Sequence, residues 1–180
     1  MSTYKLELAG LVRNLPIIKI SDDLSIASFV TLGDQELVSH ATVELEKLIP
    51  EVDIFVTAEA KGISLAHELA RLREMKKYVV CRKSVKSYMT DPIGISVKSI
   101  TTDKIQRLYL NGEDVDLIKD KKVCLVDDVI STGESIKALE DLVNKVGGKV
   151  VGKAAILAEG DASKRDDLIF LKELPLNPRK

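Results

Sequence analysis

Apolar residues follow two different spacings along this chain, and the two alternate. Spacing of three or four residues predicts helices at Leu37, Ala41, Leu45 and Leu48, at Leu65, Leu69 and Leu72, and at Ile136, Leu139, Val143 and Val146. Short continuous apolar runs predict buried strands at 52–57, 78–81, 123–126 and 150–157. Repetition of strand and helix predicts an α/β fold with a central, mostly parallel sheet flanked by helices on both faces.

Polar loops follow four of these predicted strands, at residues 58–62, 82–86, 127–135 and 158–161. The carboxyl ends of parallel strands meet at one edge of a sheet, and ligands of open α/β sheets bind there. We therefore expect the four loops to form one site.

Composition narrows the class of protein. The 180 residues are 45% apolar and 31% charged with a net charge of −1, which predicts one soluble domain without a basic field for nucleic acid. No apolar run reaches membrane length and no signal peptide is evident, so we expect a cytoplasmic protein without membrane contact. Cys81 and Cys124 lie in apolar runs and are predicted to be buried thiols. His40 and His67 lie in helical patterns, which disfavours a histidine metal site or triad.

Domain limits follow from the same pattern. We expect a core at 34–170, a flexible loop at 87–110 and a loose, proline-containing tail at 171–180. The first 33 residues predict no particular element.

The strand at 123–126 leads into the most informative motif. Asp127 and Asp128 follow it directly, and buried carboxylates need a partner, for which a vicinal diol is well suited. Ser131, Thr132, Gly133 and Ser135 then precede a predicted helix, whose first N–H groups favour an anion such as phosphate. The alternative is an ordinary strand–turn–helix capped by Asp128 or Ser131, which leaves the paired acids unexplained.

Residues 123–135 resemble the motif that binds phosphoribosyl pyrophosphate (PRPP) in type I phosphoribosyltransferases. That motif has four apolar residues, two acids, two mostly apolar residues, a hydroxyl residue, Thr or Gly, Gly, any residue, and Thr or Ser. The resemblance implies that Asp127 and Asp128 are catalytic and hold the ribose diol. It implies that the 5-phosphate binds at Val129, Ser131, Thr132, Gly133, Glu134 and Ser135. Glu134 occupies the variable position, so we expect its side chain to face solvent.

Two further segments resemble pyrophosphate-binding parts of the family. One is Glu59-Ala60-Lys61-Gly62, since purine enzymes commonly carry Arg-Gly or Lys-Gly there. The other is Arg82-Lys83-x-x-Lys86, as in the adenine and xanthine enzymes. The alternative for the first segment is a solvated loop lysine, and the alternative for the second is a solvated charged surface.

Residues 87–110 resemble the mobile hood that excludes water from the reaction. Its candidate contacts are Ser87, Tyr88, Lys98, Ser99 and Thr101, although a surface hairpin would have a similar composition. Glu159 occupies the loop where purine enzymes place groups near the base, or it is a surface acid.

The resemblance implies transfer of 5-phosphoribosyl from PRPP to a purine by a homodimer, with Mg²⁺ held through PRPP. Chain length and the lysine-rich segment favour adenine. Ile18-Lys19-Ile20-Ser21 departs from the adenine enzymes' aromatic-Arg-Asp-Ile segment, and Leu110-Asn111-Gly112 is similar to a turn of archaeal hypoxanthine enzymes. A xanthine or hypoxanthine/guanine enzyme and a PRPP-sensing regulator therefore stay open as alternatives.

Overall fold

The computed structural model describes residues 2–98 and 105–178, so the predicted contacts Ser99 and Thr101 lie outside the described residues, as does the side chain of Lys98. The strands are β1 Thr3–Leu8, β2 Leu11–Lys19, β3 Ser25–Ala27, β4 Ile54–Ala58, β5 Val79–Cys81, β6 Ile93–Lys98, β7 Ile105–Leu110, β8 Lys122–Ile130, β9 Lys149–Glu159 and β10 Ile169–Leu174. The helices are α1 Gln35–Glu46, α2 Ile63–Leu72, α3 Val115–Ile118 and α4 Glu134–Lys145.

A five-stranded parallel sheet in the order β10-β9-β8-β4-β5 forms the centre of the fold, as the strand–helix repetition predicts. Side chains of a strand alternate between faces, and β4 shows both cores. Phe55 packs in the core formed with α1, α2 and the N-terminal strands. Its neighbours Ile54 and Val56 pack in a second core, formed with α4 and β7. Helices therefore cover both faces of the sheet.

Helix α1 begins directly after Asp34. The Asp34 side chain accepts a hydrogen bond from the Leu37 N–H, which caps the helix. Arg13 on β2 binds both Asp34 and Glu36 and so ties the N-terminal sheet to this helix. Leu48 was predicted on the buried face but is 54% exposed, because α1 ends at Glu46 and the chain turns before it.

The N-terminal residues form an antiparallel sheet in the order β1-β2-β3, which the apolar pattern did not predict. The expectation of a loose tail at 171–180 is wrong for 171–174. These residues belong to the edge strand β10, pair with β9 and end at the buried Leu174. An edge strand is buried on only part of its surface, so it needs no continuous apolar run of the kind that marks a central strand. The sequence of β10 therefore did not indicate a strand.

The segment resembling the hood contains an antiparallel hairpin of β6 and β7. Its inner side packs in the α4 core, and the Lys145 ammonium donates to the Gly94 carbonyl at 2.8 Å.

Among the described residues, no helix combines the length and apolar character needed to cross a bilayer. Cys81 and Cys124 are buried free thiols, as predicted, and burial raises the pKa of each to about 12.

Candidate functional site

The two adjacent acids lie at the carboxyl end of the central strand β8. Asp128 is only 1% exposed, and its Oδ2 lies 2.9 Å from the Lys61 ammonium. Its Oδ1 accepts a hydrogen bond from the Val129 N–H, while Asp127 Oδ1 accepts one from the Asp128 N–H. The structure therefore brings the loops at 58–62 and 127–135 together, and a buried carboxylate indeed has a partner here.

Asp127 differs from Asp128 in its electrostatics, because none of the described cations forms an ion pair with it. Burial, reinforced by the neighbouring Asp128 carboxylate, raises the pKa of Asp127 to about 7. The pair therefore combines an acid bound to Lys61 with an acid that exchanges its proton near neutral pH.

This raised pKa makes stability depend on pH. Between its ordinary value of 3.8 and about 7, Asp127 holds a proton in the folded protein that the unfolded chain has released. The free energy of unfolding therefore falls as pH rises through this window. Asp127→Asn cannot titrate, so we expect its stability relative to the wild type to increase by ~2 kcal/mol between pH 5 and pH 8.

Thermal unfolding of both proteins at the two pH values measures this difference. Asp116→Asn, an exposed acid on α3, is the control and should show no such trend. Equal offsets for Asp127→Asn at both pH values would contradict the raised pKa.

The loop at 131–135 ends at the N-terminus of α4, as its sequence predicts. Gly133 is the first flanking residue and has φ of +80°, a left-handed conformation that glycine adopts without strain. Gly133 has no side chain with which to cap the helix, and the Glu134 N–H donates to Thr132 Oγ1 at 3.4 Å. The structure therefore does not show the alternative of a helix capped by Asp128 or Ser131. Ser131, Thr132 and Ser135 are exposed. Glu134 lies in the first turn of α4 and is half-buried.

Arg165 is a residue of this region that sequence reasoning missed. A Cβ at Gly133 would collide with its Nη1, so the guanidinium lies directly against the loop. Asp167 holds it in place through two hydrogen bonds of 2.9 and 2.8 Å and is itself bound by Lys153. Within the sequence, Arg165 stands among other charges of a surface loop and has no distinguishing pattern.

The predicted pyrophosphate segments meet through Glu59. Its carboxylate accepts a hydrogen bond from the Lys83 N–H, and its Oε1 lies 3.9 Å from the Lys86 ammonium. Arg82 Nε lies 2.8 Å from Glu59 Oε2 at an angle outside hydrogen-bond geometry, so this contact is an ion pair. Although burial acts to raise it, the pKa of Glu59 is held below its ordinary value by the Lys83 N–H and the Arg82 charge.

The same segment is joined to the hairpin. Arg82 and Tyr109 exchange two backbone hydrogen bonds, each of 2.8 Å, so Arg82 extends the hairpin by one strand residue. Ser87 and Tyr88 are exposed in the turn-rich segment between Arg82 and β6.

Three further residues complete the surroundings of Lys61. Glu159 is half-buried at the end of β9, and burial raises its pKa while the nearby Lys61 opposes the change. Gly62 is buried, and a Cβ there would lie 3.1 Å from the Asp127 Cα, so glycine allows α2 to approach β8 closely. Thr31 donates to the Lys61 carbonyl at 3.1 Å, a contact from the N-terminal region that the sequence did not predict.

Comparisons with known proteins agree with this arrangement. Residues 41–174 match the family model described as a phosphoribosyl transferase domain. A hypoxanthine/guanine phosphoribosyltransferase of Methanococcus voltae is 31% identical over 78% of this chain and 71% of its own. An adenine phosphoribosyltransferase of Petrotoga mobilis is 31% identical over 76% of this chain and 77% of its own.

Solved structures show the same fold at lower identity. An adenine phosphoribosyltransferase of Thermoanaerobacter pseudethanolicus superposes with a TM-score of 0.72 and 19% identity, over 88% of this chain and 95% of that one. The chain belongs to the phosphoribosyltransferase family, and within it to the purine phosphoribosyltransferases that these relatives represent.

Proposed function

We propose that this protein transfers the 5-phosphoribosyl group of PRPP to adenine and releases pyrophosphate, a reaction of purine salvage. The observation that carries the proposal is the clustering at one sheet edge of the Lys61 loop, the loop before α4 and an acid pair whose Asp128 is buried. The relatives include both adenine and hypoxanthine/guanine enzymes, so the preference for adenine rests on the chemistry of the site.

The acid pair on β8 would bind the ribose. Carboxylates accept hydrogen bonds from the two hydroxyls of the diol, and Asp128 is buried enough for such bonds to be strong. As the bond to pyrophosphate breaks, positive charge develops on the neighbouring ring carbon, as in glycoside cleavage. A fixed negative charge at that place lowers the barrier without needing to reorganise.

The 5-phosphate would bind at residues 131–135. The first N–H groups of α4 point to this loop, and Gly133 leaves room for a phosphate to approach the backbone. The guanidinium of Arg165 adds a positive charge beside the same glycine.

The pyrophosphate would bind toward β4 and β5, at Lys61 and the segment of Arg82, Lys83 and Lys86. When PRPP binds, its diol would form hydrogen bonds with the Asp128 carboxylate. The Lys61 ammonium would then leave Asp128 and bind a pyrophosphate oxygen. Glu59 is an anion and would repel pyrophosphate, so we assign it the task of holding the Arg82 and Lys83 segment in position.

Magnesium fits the donor atoms of this site, since carboxylate, hydroxyl and phosphate oxygens are its preferred ligands. When bound to PRPP, the ion neutralises charge on the leaving pyrophosphate. The residues present would hold it only through PRPP, whose diol would bind Asp127 and Asp128.

The purine would enter on the side of β9. An incoming group approaches the ring carbon on the face opposite the leaving group when configuration inverts. In the order β9-β8-β4-β5, the pyrophosphate lies toward β4 and β5, which leaves β9 and Glu159 for the base. Glu159 offers acceptor oxygens, which suit the exocyclic amine of adenine better than the carbonyl oxygen of a 6-oxopurine.

The test is incubation of the protein with PRPP, Mg²⁺ and one of adenine, hypoxanthine, guanine or xanthine, followed by nucleotide analysis. We expect AMP from adenine and at least ~100-fold lower kcat/KM with the other bases, because a mismatched base leaves buried polar groups unpaired. A glutamine in place of Glu159 can also donate a hydrogen bond to the carbonyl oxygen of a 6-oxopurine. Glu159→Gln should therefore reduce the ratio of kcat/KM for adenine to that for hypoxanthine.

Different failures have different meanings. Turnover of a 6-oxopurine alone would keep the transferase and reject adenine. Tight PRPP binding without turnover of any base would place the protein among PRPP-sensing regulators.

A further inference from the structure

The C-terminal segment after β10 returns to the N-terminal sheet and is fixed there by one residue. Asn177 donates its backbone N–H to the Ser25 carbonyl at 2.8 Å and accepts the Ser25 N–H on its Oδ1 at 2.7 Å. Its Nδ2 also donates to the Asp23 carbonyl at 3.1 Å. Three hydrogen bonds thus join Asn177 to Asp23 and Ser25, at the start of β3.

The residue before Asn177 packs on the loop after β9. Asn177 has φ of +48°, a left-handed conformation that asparagine tolerates better than most residues. A Cβ at Gly160 would lie 2.8 Å from Leu176 Cδ1, so Leu176 packs directly on that glycine. Glu159 is the next residue and also pairs with Leu174 in the β9–β10 ladder.

The segment that Asn177 holds leads to the other side of the site. β3 ends at Ala27, and four residues later Thr31 donates to the Lys61 carbonyl. Residues 175–178 therefore connect the Glu159–Gly160 loop with the chain that reaches the Lys61 loop.

We infer that residues 175–178 are a clasp that positions the acceptor side of the site, with Asn177 and Leu176 as positioning residues for Glu159. The inference rests on the proposed function for the identity of the acceptor. The donor residues Asp128 and 131–135 belong to β8, α4 and the loop between them, and they make none of the described hydrogen bonds or ion pairs with the clasp. The clasp reaches the donor residue Lys61 only indirectly, through Thr31.

Asn177→Gly tests the clasp, because glycine keeps the left-handed backbone and removes only the side-chain hydrogen bonds. We expect its KM for the purine to rise about 5- to 10-fold, consistent with the loss of two hydrogen bonds of modest net strength. The KM for PRPP should stay within about twofold, because the clasp reaches Lys61 only through residues 28–31 and a bond to the Lys61 backbone carbonyl. Tm should change little because Asn177 is at the surface.

Two other variants separate the contributions of the clasp. Asn177→Asp keeps the acceptor for the Ser25 N–H but replaces the donor to the Asp23 carbonyl by an oxygen, so it should recover only part of the purine affinity. Leu176→Ala leaves the Asn177 bonds in place and uncovers Gly160, so it should raise the purine KM alone. Removal of residues 179 and 180 is the matched control and should change neither KM.

Hydrogen exchange of the amides at 25–31 and 159–161 gives a readout that needs no catalysis. Faster exchange at both segments in Asn177→Gly is expected even if the wild type turns over no base, which would reject the proposed function and keep the clasp. Unchanged exchange with unchanged KM would overturn the clasp. Equal losses for PRPP and purine with a lowered Tm would also overturn it, since they indicate a purely structural role.

Discussion

Asp128→Asn is expected to lower kcat by about 10²- to 10³-fold, equivalent to ~3–4 kcal/mol of transition-state stabilisation. The substitution keeps the shape of the side chain and removes the charge that would face the developing cation. It also removes the ion pair with Lys61, but Lys61 is 47% exposed on its side chain and remains solvated. The protein should therefore stay folded.

Steady-state kinetics with saturating PRPP and purine measures this effect, and circular dichroism verifies the fold. Asp116→Asn serves as the control because it removes an exposed acid away from the site. A kcat within about threefold of the wild type would exclude the buried carboxylate from the proposed mechanism.

Gly133→Val is expected to weaken PRPP and the product nucleotide together, by about 100-fold or more. The valine side chain would collide with the Arg165 guanidinium and block the approach of phosphate. It would also force a branched residue into a left-handed conformation, which costs about 1–3 kcal/mol of stability.

Calorimetry with PRPP and with AMP measures the affinity. Gly10→Val separates strain from site chemistry, because Gly10 has a similar φ of +78° and none of the described atoms lies within 4 Å of a Cβ there. We expect Gly10→Val to lower Tm without lowering affinity. Normal nucleotide affinity in Gly133→Val would show that the phosphate binds elsewhere.

The central sheet was predictable because buried parallel strands are continuous apolar runs and their helices are amphipathic. Strands β4, β8 and β9 and helices α2 and α4 follow those patterns closely. The antiparallel strands β1 to β3 and the edge strand β10 are buried on fewer sides, so mixed side chains fit them and no clear pattern arises. The boundary of β8 was also underestimated, since it continues past both acids to Ile130.

The candidate site shows a similar division. The proximity of Lys61 and Asp128 followed from the rule that parallel strands end at one edge. The position of Arg165 beside Gly133 did not, because it depends on the path of a loop and on the Asp167 side chain. The contact of Thr31 with Lys61 is likewise set by packing between segments that no local pattern relates.

The backbone pairing of Arg82 with Tyr109 has a consequence for the order of events in a catalytic cycle. Two hydrogen bonds of 2.8 Å make Arg82 part of the hairpin, so a displacement of β7 also moves a cation of the proposed pyrophosphate site. Opening of the hairpin would then loosen the hold on pyrophosphate in the same movement. Release of pyrophosphate would thus depend on the same movement that uncovers the site.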